Sequence, residues 1–392
     1  MKVDTNTSPR NKASMKIVIA SDSFKESLTA QQACEAMARG ARRALPDVAL
    51  DIIPMADGGE GTADALIAAT HGQWRESAVT GPRNEPINAR WGILGTDNEA
   101  VIEMAAASGL ALVLTPQRDP TQTTTFGTGQ LIRAALDAGV ARMLVAIGGS
   151  ATNDGGAGAA QAIGYTFYDQ DGKKISEPLT GGTLRRIARI DPTTADPHLQ
   201  PVTIRVACDV DNPLCGPRGA AATYGPQKGA SPEQVALLDS ALEHLASIIQ
   251  RDLGKDVANF PGAGAAGGMG AGMVAFFDAD IQRGVHLVMS AVRFRERIAD
   301  ADLILTGEGR IDEQSMMGKV LAGVGEAGRR AKVPVIALAG AIGKGAERTL
   351  DVLDSFHCIH DDEISQDAAF ARAADALETK AAEVLMAFAQ RE

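Results

Sequence analysis

Aromatic side chains are scarce in this 392-residue chain, at 4%, and there are only four cysteines. So few aromatics leave little on which nucleobases could stack. A formal net charge of −11 removes the basic surface that a nucleic acid would require. Cys34, Cys208, Cys215 and Cys358 are too sparse for a disulfide framework. They read as small buried hydrophobes in a reducing cytoplasm. No apolar run approaches the roughly 20 residues that cross a bilayer, so no membrane partner is expected. Residues 1–14 are polar and lack an apolar core, which predicts a disordered leader and excludes a secretory signal.

Several catalytic signatures are also missing. There is no Gly-x-x-x-x-Gly-Lys-Ser/Thr run, which excludes a P-loop enzyme. There is no Gly-x-Ser-x-Gly elbow and no histidine spaced near a reactive serine, which excludes Ser/His hydrolysis. The stretch Gly262-Ala-Gly264-Ala-Ala-Gly267 has dinucleotide spelling but follows Phe260-Pro261, where no strand is expected. A flexible phosphate or hinge loop suits it better than a cofactor turn, and a nicotinamide-dependent dehydrogenase loses its support. Cys208 and Cys215 lack a second pair for zinc. His357 and His360, close to Asp361 and Asp362, fit alternate strand residues beside exposed charge.

Glycine, by contrast, is abundant at 42 residues. It gathers where short apolar runs end, and these runs alternate with helical patterns, as in an α/β fold with parallel strands. Strands are expected at 16–20, 49–55, 101–104, 143–147, 204–208, 302–306, 335–339 and 356–360. Thr29 and Gln32 form a capping box that opens the first helix, and Pro46 stops it. A central helix opens at Ser231-Pro232 and ends before Gly254. Regular βα alternation marks both ends of the chain, and the centre differs. The expected architecture is therefore a discontinuous, doubly wound Rossmann-like domain from 15–78 and 288–392. A second α/β domain, 79–287, is inserted within it.

In a parallel sheet, ligands bind beyond the carboxyl ends of the strands. The segments following the expected strands share one chemistry: acids among small residues and glycine. They are Ser21-Asp22-Ser-Phe-Lys25, Ala56-Asp57-Gly58-Gly59-Glu60-Gly-Thr62, Gly148-Gly-Ser150-Ala-Thr-Asn153-Asp154-Gly-Gly156, Asp209-Val-Asp211-Asn212, and Thr306-Gly-Glu308-Gly-Arg310-Ile-Asp312-Glu-Gln314-Ser315. Glycine turns present backbone N–H groups to phosphate, and carboxylates suit Mg²⁺ or accept a hydroxyl proton. Phosphoryl transfer is the reaction that uses all of these. Thr123–Gly129, leading into a helix near Gln130, reads equally as an anion-facing helix start or as simple N-capping.

With these loops in view, the chain resembles the type-1 glycerate kinase family from about Met15 to its C-terminus. The motifs that carry the resemblance are those around Asp22, Asp57, Asp154 and Asp312, joined by Glu103–Gly109, Tyr224-Gly-Pro-Gln-Lys228-Gly-Ala and Gly262–Gly268. Ser21 departs from the proline usual in that family, which implies altered loop stiffness with the chemistry retained. The resemblance implies an ATP- and Mg²⁺-dependent kinase that phosphorylates D-glycerate to 2-phosphoglycerate, with its active site in the cleft between the two domains. Formation of 3-phosphoglycerate, another short hydroxy acid as substrate, and a non-catalytic small-acid binding protein are the other readings. A homo-oligomer is left open.

The residue roles that follow are assigned on the same footing. Asp312 is first choice for the carboxylate that accepts the hydroxyl proton or holds the metal, and Asp57 is a second metal ligand. Lys25 and Lys319 neutralise phosphoryl charge, and Arg310 suits the glycerate carboxylate. Asp22, Asp154 and Asp209 are candidates for metal or substrate hydroxyls. Gly58, Gly59, Ser150, Asn153, Lys228 and Gln314 complete the expected substrate- and nucleotide-binding set.

Overall fold

The structure is a computed structural model that describes residues 15–316, 319–360 and 365–390. The expected disordered leader, and Asp361 and Asp362, lie outside the described residues. The chain forms two compact units, one from the segments up to Pro54 and from Arg293 onward, the other from Met55–Val292.

The first unit is built on five parallel strands in the order Ser355–Cys358, Val335–Ile342, Leu303–Ile311, Lys16–Ser21 and Ala49–Ile52. Ile17, Ile19, Leu303, Leu305 and Leu338 share a core with Ala33, Met37 and Ala41 of the helix Ala30–Ala44. Leu377, Ala381 and Leu385 of the helix Ala373–Ala389 close it. The capping box forms as expected: Thr29 Oγ1 accepts from the Gln32 N–H at 3.2 Å, and Gln32 Oε1 accepts from the Thr29 N–H at 3.0 Å. The two helices meet where Gly40 has no side chain. A Cβ there would stand 2.2 Å from the Glu378 carbonyl oxygen.

The second unit holds a six-stranded sheet in the order Asp280–Gln282, Thr203–Ala207, Arg142–Ala146, Glu99–Glu103, Pro86–Ile93 and Gln73–Thr80. The first four strands run parallel and the last two pair antiparallel. Its core joins Ile102, Val145 and Val206 of the sheet to Leu242, Leu245 and Ile249 of the helix Pro232–Leu253. That helix starts on Pro232 and ends on Gly254, which adopts φ 71°.

Several sequence expectations shift. The segment 55–78, assigned by sequence to the terminal domain, lies in the second unit because Gln73–Thr80 pairs in register with Pro86–Ile93. The helix Gly284–Ala291 belongs there too, packed on the strand Thr203–Ala207. The antiparallel hairpin was invisible in sequence, since its outer strand is mostly exposed and polar and shows no apolar alternation. The helix expected near Gln130 begins at Phe126. The run Gly262–Gly267 leads into the helix Ala265–Phe277, whose first turn is kinked by positive φ at Ala266, Gly267 and Gly268. It is packed and not an open loop: a Cβ on Gly267 would lie 2.0 Å from the Thr152 carbonyl oxygen. All four cysteines are free. Among the described residues, no helix is long and apolar enough to cross a membrane.

Candidate functional site

In the second unit, the central strands Arg142–Ala146 and Thr203–Ala207 pair in parallel, with Ala146 opposite Ala207. The loops that begin at Ile147 and Cys208 therefore leave the sheet side by side. They line a cavity of about 450 Å³ together with the Asp57–Gly59 loop and Lys228. This volume lies in the range of small-molecule sites. Of the residues singled out by sequence, the cavity collects Asp57, Gly58, Gly59, Ser150, Asp209 and Lys228.

The acidic groups are held by backbone. Asp57 Oδ1 accepts from the Gly59 N–H at 3.1 Å, across Gly58 with φ 92°. Asp209 Oδ1 accepts from the Gly284 N–H at 3.0 Å. Asp209 is exposed as a residue, yet the packing around its carboxylate, with Asp57 adding repulsion, pushes its pKa up to about 6 against the Gly284 hydrogen bond and Arg283. Asp57 and Asp209 thus line one cavity as two carboxylates, with Asp57 adding to the rise at Asp209. Hard oxygen ligands of this kind suit Mg²⁺, which takes one or two carboxylates and completes its shell from phosphates and water.

The cationic group is Lys228, which is 2% exposed. Its Nζ donates to Ser150 Oγ at 2.8 Å and to the Thr152 carbonyl at 2.7 Å. Burial brings its pKa down to about 7, with Asp154 pulling the other way. Sequence reasoning grouped Asp154 with the cavity acids, but the structure gives it another place. It is 1% exposed and is not among the cavity-lining residues. Its Oδ2 accepts from the Thr125 N–H and hydroxyl, both at 2.8 Å, and from the Gly158 N–H at 3.3 Å. Its Oδ1 accepts from the Gly156 N–H at 3.2 Å. Burial raises its pKa and these bonds lower it. The anion facing the start of the helix Phe126–Asp137 is therefore this aspartate, bound through Thr125, while Thr124 Oγ1 accepts from the Phe126 N–H at 3.1 Å. Asn153 is buried off the cavity, and neither its Oδ1 nor its Nδ2 finds a partner among the described residues.

The first unit carries its own cluster at the carboxyl end of the strand Leu303–Ile311. Asp312 Oδ1 accepts from the Gln314 N–H at 2.9 Å, and Arg310 Nε stands 3.2 Å from Asp312 Oδ2. Arg310 is thus already paired with the neighbouring acid. The Gln314 residue is exposed, and it is its backbone that engages Asp312. Asp22 Oδ1 accepts from the Ser23 N–H at 2.6 Å. Lys25 is exposed, and Lys319 precedes the first turn of the helix Val320–Ala331.

The group that sequence reasoning missed here is Glu308, 6% exposed and hydrogen-bonded to Ser315 Oγ. The same Ser315 Oγ accepts from the Asp312 N–H at 3.2 Å. Burial pushes the Glu308 pKa up to about 7. Ser315 and Lys319 oppose that rise, and Asp22 and Asp312 add to it. The strand was expected to stop at Thr306, so Glu308 looked like a loop residue. The available signal was an acid flanked by two glycines directly after an apolar strand. Gly284 was missed because nothing in its local sequence marks it.

A sequence model of the glycerate kinase family matches residues 17–389. Glycerate kinase of Halalkalibacterium halodurans is 51% identical over 335 residues, covering 86% of this chain and 88% of that protein. Glycerate 2-kinase of Escherichia coli K12 is 50% identical over 328 residues, covering 84% and 86%. A crystal structure assigned as glycerate kinase 2 from Salmonella typhimurium LT2 superposes with a TM-score of 0.88 at 45% identity, covering 97% of this chain and 99% of that one. With likeness of this depth along nearly its whole length, the chain belongs to the glycerate kinase family and is a phosphotransferase that acts on an alcohol group of glycerate.

Proposed function

We propose that the enzyme transfers the γ-phosphoryl group of ATP to the C2 hydroxyl of D-glycerate and releases 2-phosphoglycerate. The observation that carries the regiochemistry is the half-identical Escherichia coli relative, named as a 2-kinase. The cavity chemistry supports the reaction type, because it combines two carboxylates, a buried lysine and glycine turns. Asp57 and Asp209 have the donor set to hold Mg²⁺, which when bound supplies charge neutralisation for the transferring phosphoryl group.

Asp312 remains our choice to accept the hydroxyl proton. The Gln314 N–H and Arg310 fix the orientation of its carboxylate. Lys25 and Lys319 supply positive charge for the phosphoryl oxygens. Asp22, three positions before Lys25, belongs to the same set.

The test is an ATP- and Mg²⁺-dependent assay on D-glycerate, with product detected through enolase alone and then with phosphoglycerate mutase added. Signal with enolase alone is expected. Signal only after mutase would assign 3-phosphoglycerate. ADP release with another short hydroxy acid, and none with glycerate, would overturn the substrate.

A further inference from the structure

We propose that the cavity of the second unit is the acid-binding site, and that the Lys228 ammonium and the Ser150 hydroxyl together hold the carboxylate of glycerate. This rests on glycerate being the substrate. An ammonium has three donors, and Lys228 spends two of them, on Ser150 Oγ and the Thr152 carbonyl. Ser150 Oγ accepts from Nζ, so its own hydroxyl hydrogen remains to donate. Among the described residues neither spare hydrogen has an acceptor, and both residues line the cavity. Two adjacent donors, one of them cationic, match the two oxygens of one carboxylate.

The cost of this arrangement argues for a ligand. A buried ammonium without an ion pair is expensive, and an apolar residue of the same length would avoid the cost. Asp154 offsets only part of it, through space, since its oxygens are taken by Thr125, Gly156 and Gly158 and none bonds Nζ. The remaining charged groups of the wall, Asp57 and Asp209, repel a carboxylate and accept from hydroxyls. Cation and hydroxyl donors with acceptors for alcohol groups are the complement of a short hydroxy acid. A polyphosphate would meet Asp57 and Asp209 through the Mg²⁺ that they would hold, which leaves the spare ammonium and hydroxyl hydrogens to the acid.

Calorimetric titration of the full chain at about pH 6, below the Lys228 pKa, with D-glycerate, and separately with ATP, tests this in wild type, Ser150→Ala and Lys228→Met. The expected result is a glycerate Kd raised about 10-fold in Ser150→Ala and at least about 100-fold in Lys228→Met, as charge-assisted bonds warrant, with ATP affinity unchanged. ATP affinity lost with glycerate binding intact would assign the cavity to the nucleotide. Glycerate affinity unchanged in Ser150→Ala would also overturn the proposal, and that variant decides alone if Lys228→Met does not fold. Wild type that binds ATP but no glycerate would sink the substrate reading itself, an outcome separate from the others.

Discussion

Gly284 and Asp209 are joined by a 3.0 Å hydrogen bond from the glycine N–H to the carboxylate, and the same glycine packs against the loop that carries Asp57. A Cβ on Gly284 would stand 1.8 Å from the Asp57 carbonyl oxygen and 2.6 Å from Gly58 Cα. One residue without a side chain thus sets the spacing of both cavity acids.

Gly284→Ala should therefore act as an active-site mutation. Only backbone lies in the way of the new methyl group, so the Asp57 loop or Asp209 must move. A displacement of about 1 Å is enough to cost of order 10²-fold in turnover. We expect kcat/KM for glycerate to fall by at least about 10-fold. Gly172→Ala is the control, because its φ of 73° is also positive but a Cβ there meets nothing within 4 Å. It should cost about 1 kcal/mol in stability with kcat/KM unchanged. Equal kinetics for both variants would refute the spacing role.

Asp154→Ala should be a stability mutation. It would orphan the Thr125 N–H and hydroxyl and the N–H groups of Gly156 and Gly158, all buried. Losses of this kind reach about 3–5 kcal/mol. Asp154→Asn, with its amide oxygen in place of Oδ2, keeps three of the four bonds and should cost about 1–2 kcal/mol. Urea unfolding of the two variants checks the order. A normal midpoint for Asp154→Ala, with turnover abolished, would return Asp154 to the chemistry.

These cases show what was legible in sequence. The acid-and-glycine loops at strand ends announced phosphoryl transfer, and Asp57 and Asp209 do meet at one cavity. Asp154 looked the same on paper, because sequence shows residue type and spacing but not which way a carboxylate turns. Asp154 turns towards four donors from two segments, and Asp209 stays on the cavity wall. Lys228 was marked only by its motif, since its partners Ser150 and Thr152 lie more than seventy positions away. The hairpin Gln73–Thr80 with Pro86–Ile93 was missed because an exposed edge strand needs no apolar alternation.

Lys228 should leave a signature in the pH dependence of stability. Its folded pKa, about 7, lies below the ordinary 10.5. Between those values the unfolded chain binds a proton that the folded chain does not, so the contribution to stability grows as pH rises. The wild type should gain about 2 kcal/mol relative to Lys228→Met between pH 7 and pH 9. Urea unfolding at the two pH values measures it, and a constant difference would mean that Lys228 stays charged.

Glu308 should show the opposite slope. Burial, with Asp22 and Asp312 adding to it against Ser315 and Lys319, raises its pKa from 4.5 to about 7. Between these values the folded chain keeps a proton that the unfolded chain has released, so stability falls as pH rises. Glu308→Gln retains an acceptor for the Ser315 hydroxyl and removes the titration. The stability of wild type relative to this variant should drop by about 2 kcal/mol between pH 5 and pH 7. Because Ser315 also accepts from the Asp312 N–H, ionisation of Glu308 has a second consequence. It strengthens the Ser315–Glu308 bond and so tightens the turn that presents Asp312. Ser315→Ala should therefore lower kcat more than it raises KM, and an unchanged kcat would show that Asp312 does not depend on this support.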